Sequence, residues 1–148
     1  MEQLPYIDEH SIRIGATRER AWSALASVLR VDLGRSVPAP LRMALGLTPT
    51  EARGEWRGNV ELGDALPGFT VAEAHAPGRL ALRGGHRFSD YALIFELDEL
   101  DAGGCVVRAQ TWAAFPGLTG GVYRALVIGS RGHRLIVRRL LRRVAASA

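Results

Sequence analysis

The chain has 148 residues, 47% of them apolar and 23% charged, with a formal net charge of +4. This is one domain's worth of ordinary globular composition, which excludes the charged, apolar-poor signature of disorder. A single cysteine, Cys105, excludes an internal disulfide and a thiolate metal cage within one chain.

The opening Met1-Glu2-Gln3-Leu4-Pro5 has neither the basic start nor the apolar stretch of a secretory signal. No apolar run approaches the ~20 residues that a bilayer requires, so a cytoplasmic protein is expected. All 19 basic residues are arginine, a usage expected of a GC-rich bacterial genome. Asp101 is the last acidic residue, which leaves eight arginines unopposed between residues 102 and 148. There is no internal repeat and no low-complexity linker, so residues 1–148 read as one domain.

Residues 7–14 alternate, with His10, Ile12 and Ile14 on one face against Glu9, Ser11 and Arg13, and so predict a half-buried strand. A helix follows, capped by Thr17, with Glu19 in its first turn and Ala21, Trp22, Leu25, Val28 and Leu29 as its apolar stripe, ending near Leu33-Gly34. Proline near the start and glycine near the end predict a short second helix between Pro38 and Leu47. Residues 51–66, with Trp56, Val60 and Leu62 among polar neighbours, suggest one or two short strands.

The stronger strand signals begin at Phe69: residues 69–76, a Pro77-Gly78 turn, 79–86, 88–99, a Gly103-Gly104 loop and 105–115 form a meander. Pairing Glu99 with Cys105 sets Leu97 opposite Val107, Phe95 opposite Ala109, Leu93 opposite Thr111 and Tyr91 opposite Ala113, all inward. The same register puts Glu96 opposite Arg108 on the outer face, whereas a one-residue slip would mix the two faces. Leu80 and Leu82 point inward in the preceding strand; the pattern leaves open whether Glu73 and His75 join them. Residues 118–146 predict a helix roughly 40 Å long. Its stripe holds Val122, Leu126, Gly129, His133, Ile136, Val137, Leu140 and Val144, with Arg124, Arg131, Arg138 and Arg142 opposite.

This order, with Gly84-Gly85-His86-Arg87-Phe88 before Tyr91 and Phe115-Pro116-Gly117 leading into the last helix, resembles the helix-grip fold of the START and birch-pollen-allergen (SRPBCC) superfamily. The resemblance spans essentially the whole chain. It implies an α+β fold, a curved antiparallel sheet wrapped around a long C-terminal helix with a ligand pocket between them. The glycine-histidine segment is similar to the latch loop of plant abscisic-acid receptors, which would put His86, Arg87 and Tyr91 at the pocket mouth. It is one residue shorter here and no gate loop accompanies it, so hormone signalling is not implied. No Rieske-type cysteine and histidine motif is present, which excludes the oxygenase branch.

On that frame the expected pocket has apolar walls from Leu80, Leu82, Tyr91, Leu93, Phe95, Leu126 and Val137. Small residues, Ala109, Gly129 and Ser130, leave it room, and His86, Thr111 and His133 orient a ligand. His133 sits mid-stripe, where an imidazole needs partners; it is either a core histidine bonded to the backbone or Thr111, or a ligand-orienting group or general base.

Three functions follow as expectations. The first is binding of a small lipid-like or aromatic molecule, without cofactor or metal. The second is a polyketide cyclase or aromatase using the same pocket, with His133 and Tyr91 as catalytic candidates. The third is a protein-interaction or co-chaperone-like module, with outer-face Ile94 and Trp112 as a homodimer patch. Aromatics are absent from the arginine face of the last helix, which argues against a nucleic-acid platform.

Overall fold

The computed structural model describes residues 4–32, 61–63, 65–66, 69–86, 89–114 and 132–148. Within them the chain runs β1 (Tyr6–Ile14), α1 (Arg18–Asp32), β2 (Ala65–Leu66), β3 (Phe69–His75), β4 (Arg79–His86), β5 (Ser89–Glu99), β6 (Cys105–Ala114) and α2 (Gly132–Ser147). The strands make one antiparallel sheet in the order β1-β6-β5-β4-β3-β2, open at β1 and at the two-residue β2. The short helix expected between Pro38 and Leu47, most of the strands expected in 51–66, and residues 118–131 of the expected last helix lie outside the described residues.

The β5–β6 ladder is the one the alternation requires: Glu99 pairs with Cys105, Leu97 with Val107, Phe95 with Ala109, Leu93 with Thr111 and Tyr91 with Ala113. A five-residue connection closes it, with Leu100 N donating to Gly104 O at 3.1 Å and Gly103 N to Leu100 O at 3.0 Å. The opposite face carries a ladder of charge across four strands. Glu73 on β3 bonds Arg79 on β4 at 3.0 Å, Arg79 bonds Glu96 on β5, and Arg108 on β6 bonds both Glu96, at 3.2 Å, and Asp98. Each arginine thus lies between carboxylates of neighbouring strands, so the outer face favours the register that buries the inner one.

Two bulges set which residues face in. Pairing of β3 with β4 passes from Val71↔Leu82 to Glu73↔Ala81, so Ala72 is an extra residue. This resolves the face of Glu73 and His75: both lie outside, Glu73 on Arg79 and His75 74% exposed, while Val71 and Ala74 pack on the core. In β1 the pairing passes from Tyr6↔Trp112 to Asp8↔Thr111, which makes Ile7 the extra residue. Asp8, His10, Ile12 and Ile14 then share the inner face, and Tyr6 lies outside, edge-on to Trp112 at 5.2 Å.

Both helices cover the inner face. Thr17 caps α1, its Oγ1 accepting from Arg20 N at 3.2 Å, and Ala21, Leu25, Val28 and Leu29 turn to the sheet and to α2. In α2 the buried residues are Val137, Leu140, Leu141 and Val144, the i, i+3, i+4, i+7 spacing of one stripe. Ile136, expected in that stripe, is instead 69% exposed beside Leu135, because it lies about 100° around the helix from Val137.

Gly103 and Gly104 both have positive φ, 92° and 78°. A Cβ on Gly103 would meet nothing within 4 Å, whereas one on Gly104 would stand 2.5 Å from the carbonyl oxygen of Ile14. Gly103→Ala should therefore cost about 1 kcal/mol, and Gly104→Ala at least about twice that, since strain and a backbone clash add. Urea unfolding midpoints measure both; equal losses would contradict the close approach of the β5–β6 turn to β1.

Candidate functional site

The inner face changes character along its length. At the end near the β5–β6 turn, Leu97, Cys105 and Val107 are at most 1% exposed, and Ile14 is 5% exposed beneath α1 and α2. One pair further along, Phe95 and Ala109 remain fully buried. Beyond them Leu93, Thr111 and Tyr91 are only half-buried, although all three project to the same side of the sheet. The dry half of the face is where the helices press on it.

Of the expected wall residues, Leu80, Leu82 and Phe95 are core side chains at 0–1% exposure, and Val137 packs with them at 7%. Leu93 packs against the edge of this core, and Tyr91 meets Phe69 edge-on, ring centres 5.0 Å apart. Ala109 is fully buried beside Phe95, leaving the inner face low where β5 and β6 pair. His86 ends β4 in register with Ser89, and His133 lies in the first turn of α2; for both, the backbone position is what the structure describes. Leu126, Gly129 and Ser130 lie outside the described residues.

Thr111 is the expected polar group whose surroundings the structure defines. It pairs with Leu93 on one side and Asp8 on the other, and its Oγ1 is buried without a hydrogen-bond partner among the described residues. Asp8 is the residue that sequence reading missed. Its side chain and that of His10 are each 13% exposed, and its Oδ2 lies 3.3 Å from His10 Nε2 and 3.6 Å from Arg134 Nε. Arg134 comes from the first turns of α2, so strand and helix meet at one carboxylate. A signal for Asp8 was present: the alternation that turns His10, Ile12 and Ile14 inward extends back to it.

An open groove of about 440 Å³ runs beside this cluster between β1 and α2, lined by Glu9, His10, Ser11, Ile12, Arg138, Leu141 and Arg142. It contains none of the residues expected to form the pocket, and His10 is its link to the inner face. Among the described residues no group of three or more His, Cys, Asp or Glu could hold a metal ion, and no helix is long and apolar enough to cross a membrane.

No family model matches the chain, and no curated protein matches it in sequence. It is similar to solved structures of low identity. A conserved protein from Geobacillus kaustophilus is 16% identical with a TM-score of 0.53, over 93% of this chain and 91% of that one. Mll3558 from Rhizobium loti is 14% identical with a TM-score of 0.57, over 99% and 100%. The di-domain ARO/CYC BexL from the BE-7585A biosynthetic pathway is 11% identical with a TM-score of 0.58, over 95% of this chain and 49% of BexL, so the chain spans about half of that protein. At such identities the likeness is one of fold.

Cys105 begins β6 fully buried, and burial pushes its thiol pKa up, with the Glu19 carboxylate adding to the effect. Both raise the cost of the thiolate, the reactive form, so Cys105 is a small core residue. The native protein should leave a water-soluble disulfide reagent unreacted at neutral pH over minutes, and consume one equivalent once urea unfolds it. Prompt reaction in the native state would contradict this burial.

Proposed function

We propose that the chain is a helix-grip protein of the SRPBCC or START-like kind that holds a small apolar molecule between the inner face of its sheet and α2. One observation carries the reading: the inner face is dry at the end that the helices cover and only half-buried at Leu93, Thr111 and Tyr91, which point the same way. A sheet face that only closed a core would bury that row too, since interiors pack to crystal-like density. Apolar Leu93 and aromatic Tyr91 beside one buried, unsatisfied hydroxyl make a wall for a ligand with an apolar body and few polar groups. The fold shared with the solved structures above supports this placement, and His86 and His133 stand as further candidates on the same frame.

A second reading is an aromatase/cyclase-type enzyme, favoured by the likeness to BexL, with Tyr91 and His133 as the proton-moving candidates. The readings separate on the fate of the bound molecule: a binding protein returns it unchanged after incubation and extraction, whereas a cyclase returns a ring-closed product.

Leu93→Trp tests the space directly. If Leu93 borders a cavity, the larger ring enters it with little loss of stability and weakens binding of the neutral probe N-phenyl-1-naphthylamine by at least about tenfold. If the interior beside Leu93 is filled, the substitution overpacks it and costs roughly 1–3 kcal/mol. Probe fluorescence and thermal unfolding on the same samples distinguish the two, and an unstable variant from a parent that binds no probe would overturn the proposal.

A further inference from the structure

The partners of His10 fix what its ring can offer. Its Nε2 lies 3.3 Å from Asp8 Oδ2, and an ionised carboxylate only accepts, so the proton of this contact is on Nε2. Arg134, 3.6 Å from the same oxygen, already sets a positive charge against Asp8, so the ring need not be an imidazolium for the contact to hold. A neutral imidazole with its proton on Nε2 carries a bare lone pair on Nδ1. That atom has no hydrogen-bond partner among the described residues, and His10 lines the groove between β1 and α2.

Thr111 complements it. His10 pairs with Ala109 and Asp8 with Thr111, so His10 and Thr111 are diagonal neighbours on the inner face. Diagonal pairs of an antiparallel ladder are about 7–8 Å apart at the backbone, less at Cβ, a span that two hydrogen bonds of about 2.8 Å sharing one oxygen can bridge. A ligand hydroxyl does this: its O–H donates to His10 Nδ1 while its oxygen accepts from the Thr111 hydroxyl.

We propose that His10 Nδ1 and Thr111 Oγ1 form a hydroxyl-recognition site at the polar end of the pocket, with Asp8 as the positioning residue that sets the histidine tautomer. The inference rests on the pocket reading above and specifies its ligand: an apolar, aromatic-sized molecule carrying a hydroxyl. An ether or a ketone brings no proton to Nδ1, and neither does an ionised carboxylate. Each leaves a buried acceptor unpaired, which is how a polar site rejects an analogue lacking the donor.

Three probes of nearly equal shape test it: naphthalene, 2-naphthol with a donor, and 2-methoxynaphthalene with the oxygen but no donor. By calorimetric or NMR titration the wild type should bind 2-naphthol at least about tenfold more tightly than either other probe. His10→Phe should remove that advantage while leaving naphthalene affinity within about twofold. Long-range nitrogen–proton NMR of the wild type should show His10 protonated at Nε2 and bare at Nδ1, and Asp8→Ala should release this preference. The NMR and the three-probe series need no variant, so they decide even where His10→Phe does not fold. Equal binding of 2-naphthol and 2-methoxynaphthalene, or a proton on Nδ1, overturns the hydroxyl site alone. Failure of all three probes to bind overturns the pocket reading with it.

Discussion

The pairing of β5 with β6 is the constraint on which the rest of the molecule depends. Side chains alternate along a strand, so the residue that Glu99 faces decides at once the side on which Phe95, Leu97, Val107 and Ala109 emerge. With Cys105 as its partner, every bulky apolar residue of the two strands points toward the helices, and Glu96 falls between Arg79 and Arg108 on the other side. A shift by one would put Phe95 and Leu97 into water and carry the charges beneath α1. The core against which α1 and α2 pack exists only in this register, and so does the row of Leu93, Thr111 and Tyr91 from which the site is built.

What the sequence makes legible follows from the same periodicity. The β5–β6 register, the capped first helix and the inward face of β1 can all be read from it, because each is long, patterned and bounded by clear turn or cap residues. The face of Glu73 and His75 is not readable, because the bulge at Ala72 inserts a residue that nothing in the local pattern marks. Ile136 misleads for a different reason. Leu135, Ile136 and Val137 are consecutive and equally apolar, so composition cannot fix the rotation of α2, and only packing against α1 and β1 selects Val137. Asp8 is obscured by its chemistry: a carboxylate in an apolar row reads as an interruption until Arg134 is brought to it from the far end of the chain.

The helices divide the sheet into two functional halves. Where the buried stripes of α1 and α2 meet, the interior is closed by interdigitated leucine and valine, and Cys105 is held there as an inert thiol. Away from that junction the inner face keeps its small and polar residues, Thr111, Asp8 and His10, on one rigid ladder. Groups that must hold a geometry are thus mounted on paired strands, next to a core that keeps those strands from shifting.

The extra residue in β1 separates two mechanical parts of that strand. In a regular strand Tyr6 and Asp8 would face the same way; with Ile7 bulged out, Tyr6 clasps Trp112 on the outside while Asp8 faces in. The first residues of the chain, including the Pro5 carbonyl that accepts from Ala113 N at 2.9 Å, are therefore anchored on their own segment of ladder. Fraying from the N-terminus can consume the aromatic clasp and stop at the bulge, where the ladder's spacing is already interrupted. The bulge acts as an expansion joint: it absorbs the motion of a chain end, so that the Asp8–His10 pair keeps its alignment when the strand's tip comes loose.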